Sequence, residues 1–160
     1  MQEMVIYGVS FDMVGKQPIV LLKTVDSNKF LPIWIGHPEA AAILMKLQAK
    51  DTPRPMTHDL FTNVLGELDA EIVQIAVTDL RDNTFYARIT LRRDGTTFEV
   101  DSRPSDAIAL ALRTRAPIFV EETVIDNAKT VDTSSEKADA DRLHKWLESI
   151  DPDDLGKYKM

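Results

Sequence analysis

The sequence has 160 residues, 44% of them hydrophobic and 28% charged, with a formal net charge of −7 and no cysteine. This composition fits one globular domain. It excludes disulfides, thiolate metal sites and the basic character of a protein that binds nucleic acid tightly. No apolar run approaches the ~18 residues of a membrane span, and the first residues lack a secretory signal, so we predict a cytoplasmic protein without membrane contact.

Three strands are predicted in the first 35 residues. Hydrophobic residues alternate over 4–13, a nearly continuous apolar run covers 18–24, and a third run covers 30–35. Gly15-Lys16 and Asp26-Ser27 supply the turns. The short connections predict an antiparallel meander, and Pro32 favours an edge position or a bulge in its third strand.

Two helices follow, separated by a segment that contains two prolines. Pro38 suits the first turn of a helix and Glu39 suits its positive end. Pro53 and Pro55 then interrupt any helix. Thr57 is the predicted cap of the second helix. The apolar stripe of this helix comprises Leu60, Phe61, Val64, Leu65 and Leu68.

Three further strands, a third helix and a short strand complete the predicted fold. The strands cover residues 70–80, 84–93 and 97–101, with turns at Asp82-Asn83 and Asp94-Gly95. The third helix opens at Pro104 and Ser105, and the short strand covers residues 117–120. The order of these elements predicts an α+β domain over residues 1–128, with helices packed on a mixed, mainly antiparallel sheet.

The remaining residues, 129–160, are predicted to be an acidic linker and a C-terminal amphipathic helix. Residues 121–160 contain 6 basic and 11 acidic side chains, whereas residues 1–120 contain 13 basic and 15 acidic ones. Any contact with nucleic acid is therefore expected to be weak and confined to the first 120 residues. The apolar stripe of the last helix and the edge strands of the sheet favour self-association, with a homodimer as the expected state.

Two predicted helix starts carry the same short pattern. Residues 54–57 read Arg-Pro-Met-Thr and residues 103–106 read Arg-Pro-Ser-Asp, each with a hydroxyl and an Asp in the opening turn. A helix N-terminus attracts anions, and Arg grips phosphate oxygens in pairs. Asp binds Mg²⁺ or Mn²⁺, and His transfers protons near neutral pH. If the two starts meet, they supply the parts that phosphodiester hydrolysis needs.

The same residues also admit a purely structural interpretation. Thr57 and Ser105 are then helix caps, and Asp59 and Asp106 only complement the helix dipole. In that case Arg103 pairs with a neighbouring carboxylate and holds two elements together. Residue spacing alone favours this interpretation, since caps and ion pairs are common at helix starts.

Three motifs resemble those of a known family. They are Leu-Pro-Ile-Trp-Ile-Gly at 31–36, Arg-Pro-Met-Thr-His-Asp-Leu at 54–60, and Asp-Ser-Arg-Pro-Ser-Asp-Ala-Ile-Ala-Leu-Ala at 101–111. In this order they are similar to the motifs of the bifunctional nuclease family, and the resemblance covers about residues 3–128. It implies an α+β fold and a nuclease that acts on DNA and RNA.

Candidate site residues follow from these motifs. The proposed catalytic residues are His58, Asp59, Asp101, Arg103 and Asp106, with His58 as general base or acid. The proposed phosphate-binding residues are Arg54, Thr57, Arg103 and Ser105. Asp101 and Asp106 are the proposed ligands of Mg²⁺ or Mn²⁺, and Glu39 is a lesser candidate. Two alternatives stay open: a non-catalytic module that binds a protein or an anion, and a hydrolase of small phosphate-bearing molecules.

Overall fold

A computed structural model describes residues 1–11, 17–128 and 130–132 of the chain. The described residues form one eight-stranded sheet and four helices. The strands are β1 (Gln2–Phe11), β2 (Pro18–Thr24), β3 (Lys29–Trp34), β4 (Glu71–Arg81), β5 (Thr84–Arg93), β6 (Thr96–Ser102), β7 (Ile118–Val120) and β8 (Val131–Asp132). The helices are α1 (His37–Leu47), α2 (Thr57–Glu67), α3 (Pro104–Thr114) and α4 (Glu122–Asn127).

The sheet consists of two antiparallel meanders joined by one short strand. Its order is β6-β5-β4-β7-β1-β2-β3-β8, and β7 pairs antiparallel with β1 and parallel with β4. Positive φ angles at Asp82 and Asn83, and at Asp94 and Gly95, build the two tight turns of the second meander. The predicted mixed, mainly antiparallel α+β fold is therefore confirmed, and Pro32 lies in the outer part of the first meander, beyond the two residues that pair with β8.

Helices α1 and α3 pack on one face of the sheet. Helix α1 contacts β1 and β2, helix α3 contacts β4 and β5, and the two helices contact each other. The small alanine side chains of α3 permit this close approach, and five consecutive residues of this helix, 107–111, are buried as a result. This layer encloses the main hydrophobic core, which includes Met4, Leu22, Ile33, Ile43, Ile75 and Ile108.

The opposite face of the sheet differs between the two meanders. In β2 and β3 this face carries Ile19, Leu21, Phe30 and Trp34, which are buried. In β4–β6 it carries ion pairs exposed to solvent, Arg88 with Glu99 and Arg92 with Glu71. The two meanders therefore use the same strand geometry for different environments.

Helix α2 departs from the sequence-based expectation in two respects. Its N-cap is Met56, so the prediction that Thr57 caps the helix is wrong. The backbone N–H of Met56 donates to the side chain of Asp59 instead. Its apolar stripe exists, but four of the five predicted residues are 44–54% exposed. Only Leu65 packs on the core.

Other differences concern the C-terminal part of the chain. Helix α4 and strand β8 were not predicted, because six and two residues are too short for a periodic pattern to emerge. The predicted C-terminal amphipathic helix and the turn at Gly15-Lys16 lie outside the described residues. None of the described helices is long and apolar enough to cross a membrane.

Candidate functional site

A cavity of about 980 Å³ opens between α1, α2, α3 and β6. The starts of α2 and α3 line it, together with the segment between α1 and α2. Of the predicted site residues, Thr57, His58, Asp59, Asp101, Arg103 and Asp106 border this cavity, as does Glu39. The two helix starts therefore meet, although about 50 residues of sequence separate them.

Arg103 is the N-cap residue of α3 and is held by two carboxylates. Its Nε donates to Asp106 Oδ2 at 3.0 Å, and its Nη2 donates to Glu39 Oε1 at 2.7 Å and lies 2.8 Å from Asp106 Oδ2 in an ion pair. The hydrogen bond with Asp106 is the main reason that the pKa of Arg103 is raised, and that with Glu39 adds to it against the effect of burial. The Arg103 side chain remains 51% exposed. The guanidinium is thus oriented and still open to a ligand.

His58 joins α2 to this array through the second oxygen of Asp106. The distance between His58 Nε2 and Asp106 Oδ1 is 2.9 Å, and the two side chains are 14% and 30% exposed. A carboxylate on Nε2 favours the tautomer with a proton on that nitrogen, so Nδ1 is left to exchange protons. Glu39, Arg103, Asp106 and His58 therefore form one hydrogen-bonded chain, which we call the charged array.

Asp59 takes part in a second set of contacts that is mainly structural. Its Oδ2 accepts from the backbone N–H of Met56 at 3.0 Å, and its Oδ1 accepts from Arg113 Nε at 2.7 Å. The Arg113 hydrogen bond is the largest cause of the lowered pKa of Asp59. Arg113 also donates to the carbonyls of Ala109 and Ala42, and its side chain is only 7% exposed. This arginine therefore ties α1, α2 and α3 together.

Arg54 and Ser105, both proposed to bind phosphate, do not line the cavity. Arg54 is exposed on the segment before α2 and is not part of the cavity wall. Ser105 is fully buried, and its Oγ has no hydrogen-bond partner in the part of the chain that the structure describes. Neither side chain is positioned to touch a phosphate held by the charged array. Of the phosphate-binding set, Arg103 and Thr57 remain on the cavity wall.

The residues proposed to bind a metal ion do not form a ready coordination site. Within the described residues, no group of three His, Asp or Glu side chains is close enough to hold a metal ion. Both oxygens of Asp106 are already bound, one to His58 and one to Arg103. Glu39 is also bound to Arg103 through one oxygen, and Asp101, the other proposed ligand, pairs with Arg88 and so lies on the strand face opposite Val100. The arrangement does not fit a preformed metal centre.

Sequence reasoning missed several residues of the cavity wall. Lys46 and Lys50 of the α1 end and Arg113 of α3 line it, together with an apolar part formed by Met45, Met56, Phe61, Ile89, Val100 and Leu110. Lys46 lies in the last turn of α1, whereas Lys50 lies beyond the end of this helix. No signal in the sequence indicated that these two lysines line the same cavity as Arg103. In total, four Lys and Arg residues and five carboxylates border the cavity, which explains why the site is not strongly basic.

Comparison with known proteins gives one family. The description "Bifunctional nuclease domain" matches residues 20–133. A protein of Mycobacterium tuberculosis named only as uncharacterized is 36% identical over 164 residues, which cover 97% of this chain and 98% of that protein. "Bifunctional nuclease 1" of rice is 26% identical over 119 residues, or 72% of this chain and 36% of the rice protein. "Bifunctional nuclease 1" of Arabidopsis thaliana is 26% identical over 107 residues, or 64% of this chain and 33% of that protein.

Proposed function

The chain belongs to the bifunctional nuclease family, and on this premise we propose that it hydrolyses phosphodiester bonds of DNA, RNA or both in the cavity between α1, α2 and α3. The observation that carries the proposal is the 2.9 Å contact between His58 Nε2 and Asp106 Oδ1. It brings the imidazole of His58 close to the exposed, oriented guanidinium of Arg103, where two helix starts meet. Such a combination suits the charge that develops on a phosphoryl group.

His58 supplies the proton transfer in this proposal. Asp106 orients the imidazole through Nε2 and stabilises its protonated form, so that Nδ1 accepts a proton from the attacking water. The water oxygen then forms the new bond to phosphorus, and the bond to the leaving oxygen breaks. The leaving oxygen takes up the proton that the imidazole gives back.

Arg103 stabilises the phosphoryl oxygens. Its Nε and Nη2 are occupied by Asp106 and Glu39, whereas Nη1 has no hydrogen-bond partner among the described residues and is available to a phosphate oxygen. The backbone N–H groups of the α3 start add a favourable dipole. Because the guanidinium is held on both sides before substrate binds, little reorganisation is needed in the transition state.

The cavity favours a flexible strand over a duplex. Its volume of about 980 Å³ is that of a small-molecule site, which a segment of a single strand can enter and a paired duplex cannot. One or two nucleotides of a single strand fit, with a base against the apolar wall at Met45 and Phe61. The same volume suits a small phosphate ester, which is the second candidate substrate.

Mg²⁺ or Mn²⁺ and a cytoplasmic location both stay predictions. The described donor set supports a route in which this chain's own residues do the chemistry, and a metal ion is not assigned a step. The metal prediction is tested directly by assaying the protein with added Mg²⁺ or Mn²⁺ and with EDTA.

The proposal is tested with the purified full chain, labelled single-stranded DNA and RNA oligonucleotides, and bis(4-nitrophenyl) phosphate as a small ester. We expect His58→Ala to lower kcat by about 10²–10⁴-fold, the usual contribution of a positioned acid or base. The control is Arg92→Ala, because Arg92 is exposed, ion-paired with Glu71 and remote from the cavity. This control variant should keep the activity of the wild type.

The outcomes separate the candidates. Cleavage of oligonucleotides that is lost in His58→Ala and kept in Arg92→Ala supports the nuclease. Cleavage of the small ester alone supports the second candidate substrate. If activity is equal in the wild type and in His58→Ala, the charged array is not the active site and the proposal fails.

A further inference from the structure

Helix α2 has an apolar face that the described residues leave uncovered. It has no buried residue at all, and Leu60, Phe61, Val64 and Leu68 are 54%, 44%, 47% and 50% exposed. The spacing of four residues between Leu60, Val64 and Leu68 places them in one row along the helix. A surface helix of a monomer normally turns such a row towards its own core.

Strand β6 presents a second uncovered apolar surface beside the first. Among the described residues it is an outer strand of the sheet that pairs with β5 alone, and it has no buried residue over its seven positions. Phe98 and Val100 are 49% and 39% exposed. They pair with Leu91 and Ile89 and so face the helix side. An exposed edge strand offers free hydrogen-bonding groups to which another chain can pair.

The two surfaces belong together. Phe61 of α2 and Val100 of β6 border the same cavity, as does Met56 at the start of α2. We call the combined surface the α2/β6 patch; it comprises Met56, Leu60, Phe61, Val64, Leu68, Phe98 and Val100. It lies at the opposite end of the sheet from β8.

The charge of the α2/β6 patch selects the kind of partner. Between Met56 and Ala70 the chain has no Lys or Arg but has Asp59, Glu67 and Asp69. Strand β6 likewise has no cation and carries Glu99 and Asp101. A nucleic-acid backbone or an anionic membrane surface laid along α2 and β6 would meet these carboxylates and no Lys or Arg, whereas the cavity also offers Lys46, Lys50 and Arg103. Charge therefore argues against an anionic partner, and the apolar side chains of the patch favour a protein surface.

The size of the α2/β6 patch matches one half of an ordinary protein interface. Its seven side chains are 39–54% exposed, which corresponds to on the order of 500 Å² of apolar area at roughly 150–200 Å² per large side chain. A standard interface buries about 800 Å² on each partner, and rather more than half of it is apolar. The patch can thus supply the whole apolar part of one interface.

We propose that the α2/β6 patch is the interface of a homodimer. An outer strand that pairs antiparallel with its own copy satisfies the free hydrogen-bonding groups of both strands through one two-fold axis. The apolar row of α2, Leu60, Val64 and Leu68, then packs against the same row of the second copy, beside the paired β6 strands. Because Met56, Phe61 and Val100 are shared with the cavity, the second copy also forms part of the cavity wall.

The absence of cysteine makes the proposal testable by cross-linking. Phe98→Cys and Glu99→Cys place single thiols near the centre of β6, where the two-fold axis of an antiparallel pair passes. We expect one of them to form a disulfide-linked dimer under mild oxidation. Val25→Cys is the matched control, since Val25 is 52% exposed in a turn of the other meander, and should stay monomeric on a non-reducing gel.

Analytical ultracentrifugation of the full chain gives an independent measurement. The wild type should sediment as a dimer, and Val64→Asp with Leu68→Asp should weaken the dimer at least about tenfold. Val25→Asp should leave it unchanged. Circular dichroism verifies that each variant is folded.

Three results would overturn the proposal. One is a wild type that remains monomeric at high concentration, and another is a dimer that the double variant leaves intact. The third is cross-linking at Val25→Cys with the same yield as on β6. None of these measurements uses catalysis, so the dimer and the nuclease can fail separately.

Discussion

The two helix starts carry the same Arg-Pro pattern but have different roles. At α3, Arg103 is the N-cap residue, Pro104 occupies the first turn and Asp106 binds both Arg103 and His58. At α2, the helix begins two residues after the proline, so Met56 is the N-cap and Arg54 lies outside the cavity wall. A shift of two residues in the helix start thus moves one arginine into the site and the other out of it.

The acidic residues of the two starts differ in the same way. Asp59 binds the backbone N–H of Met56 and the side chain of Arg113, so it stabilises the joint between three helices. Asp106 binds two side chains that border the cavity. A short motif therefore predicts only approximately where a helix begins. The position of the N-cap residue decides which side chains reach the cavity.

The different roles of the two arginines are tested by removing each of them in turn. We expect Arg103→Ala to lower kcat by about 10²–10³-fold, the usual cost of losing one donor to a developing oxyanion. Arg54→Ala should change kcat by less than about threefold, since surface residues away from a site contribute little. The measurement is the oligonucleotide assay under identical salt conditions.

Equal losses in the two arginine variants would contradict this prediction. They would mean that Arg54 reaches the substrate and that the two starts are functionally equivalent. Arg103→Lys sharpens the test further. A lysine keeps the charge but cannot bind Asp106, Glu39 and a phosphate in the fixed geometry of a guanidinium.

The structural role of the α2 start is tested at Arg113. This side chain is 7% exposed and bridges three helices, so Arg113→Met should lower the free energy of unfolding by about 2–3 kcal/mol. Urea denaturation measures it. Arg92→Ala, which removes an exposed ion pair, should cost under about 1 kcal/mol. A cost for Arg113→Met no larger than that control would show that this joint is unimportant.

The smallest expected effect is a dependence of stability on pH at Asp59. The pKa of Asp59 in the folded state lies below the ordinary value of 3.8. As pH falls, the carboxylate is therefore protonated in the unfolded state at a higher pH than in the folded state. The stabilisation is therefore complete above pH 3.8 and is lost as pH falls through the folded pKa. Because Asp59 is 35% exposed, we expect less than about 1 kcal/mol.

The test of this pH dependence compares urea denaturation of the wild type and of Asp59→Asn between neutral and acidic pH. The difference in free energy of unfolding should shrink as the solution becomes more acidic than pH 3.8. A difference that stays constant through this range would show that the ionised carboxylate does not contribute.

Much of the fold was predictable because its signals are local. Two-residue turns at Asp82-Asn83 and Asp94-Gly95 give the second meander directly, and alternating hydrophobic residues give its strands. The burial of both faces in β2 also agrees with its continuous apolar run. Helix α2 shows the limit of this reasoning, because its apolar stripe predicts a helix but does not say which surface covers it.

Less of the candidate site was predictable because its contacts are not local. The motifs nominated Arg103, Asp106 and His58, and the structure brings these three together. Ser105 has the same residue type and helix position as a phosphate-binding hydroxyl, yet packing of α3 buries it. The role of Arg113 depends on contacts 54 and 71 residues away, and no spacing rule reaches that far.

Strand β7 gives the chain a fixed order of assembly. Its three residues join the two meanders in the sheet, and they follow both meanders in the sequence. The N-terminus of a protein emerges from the ribosome first, so the two meanders can fold separately during translation. They cannot be joined into one sheet until residues 118–120 have emerged. A nascent chain stalled before that point holds Glu39 and Arg103 on pieces that β7 has not yet joined.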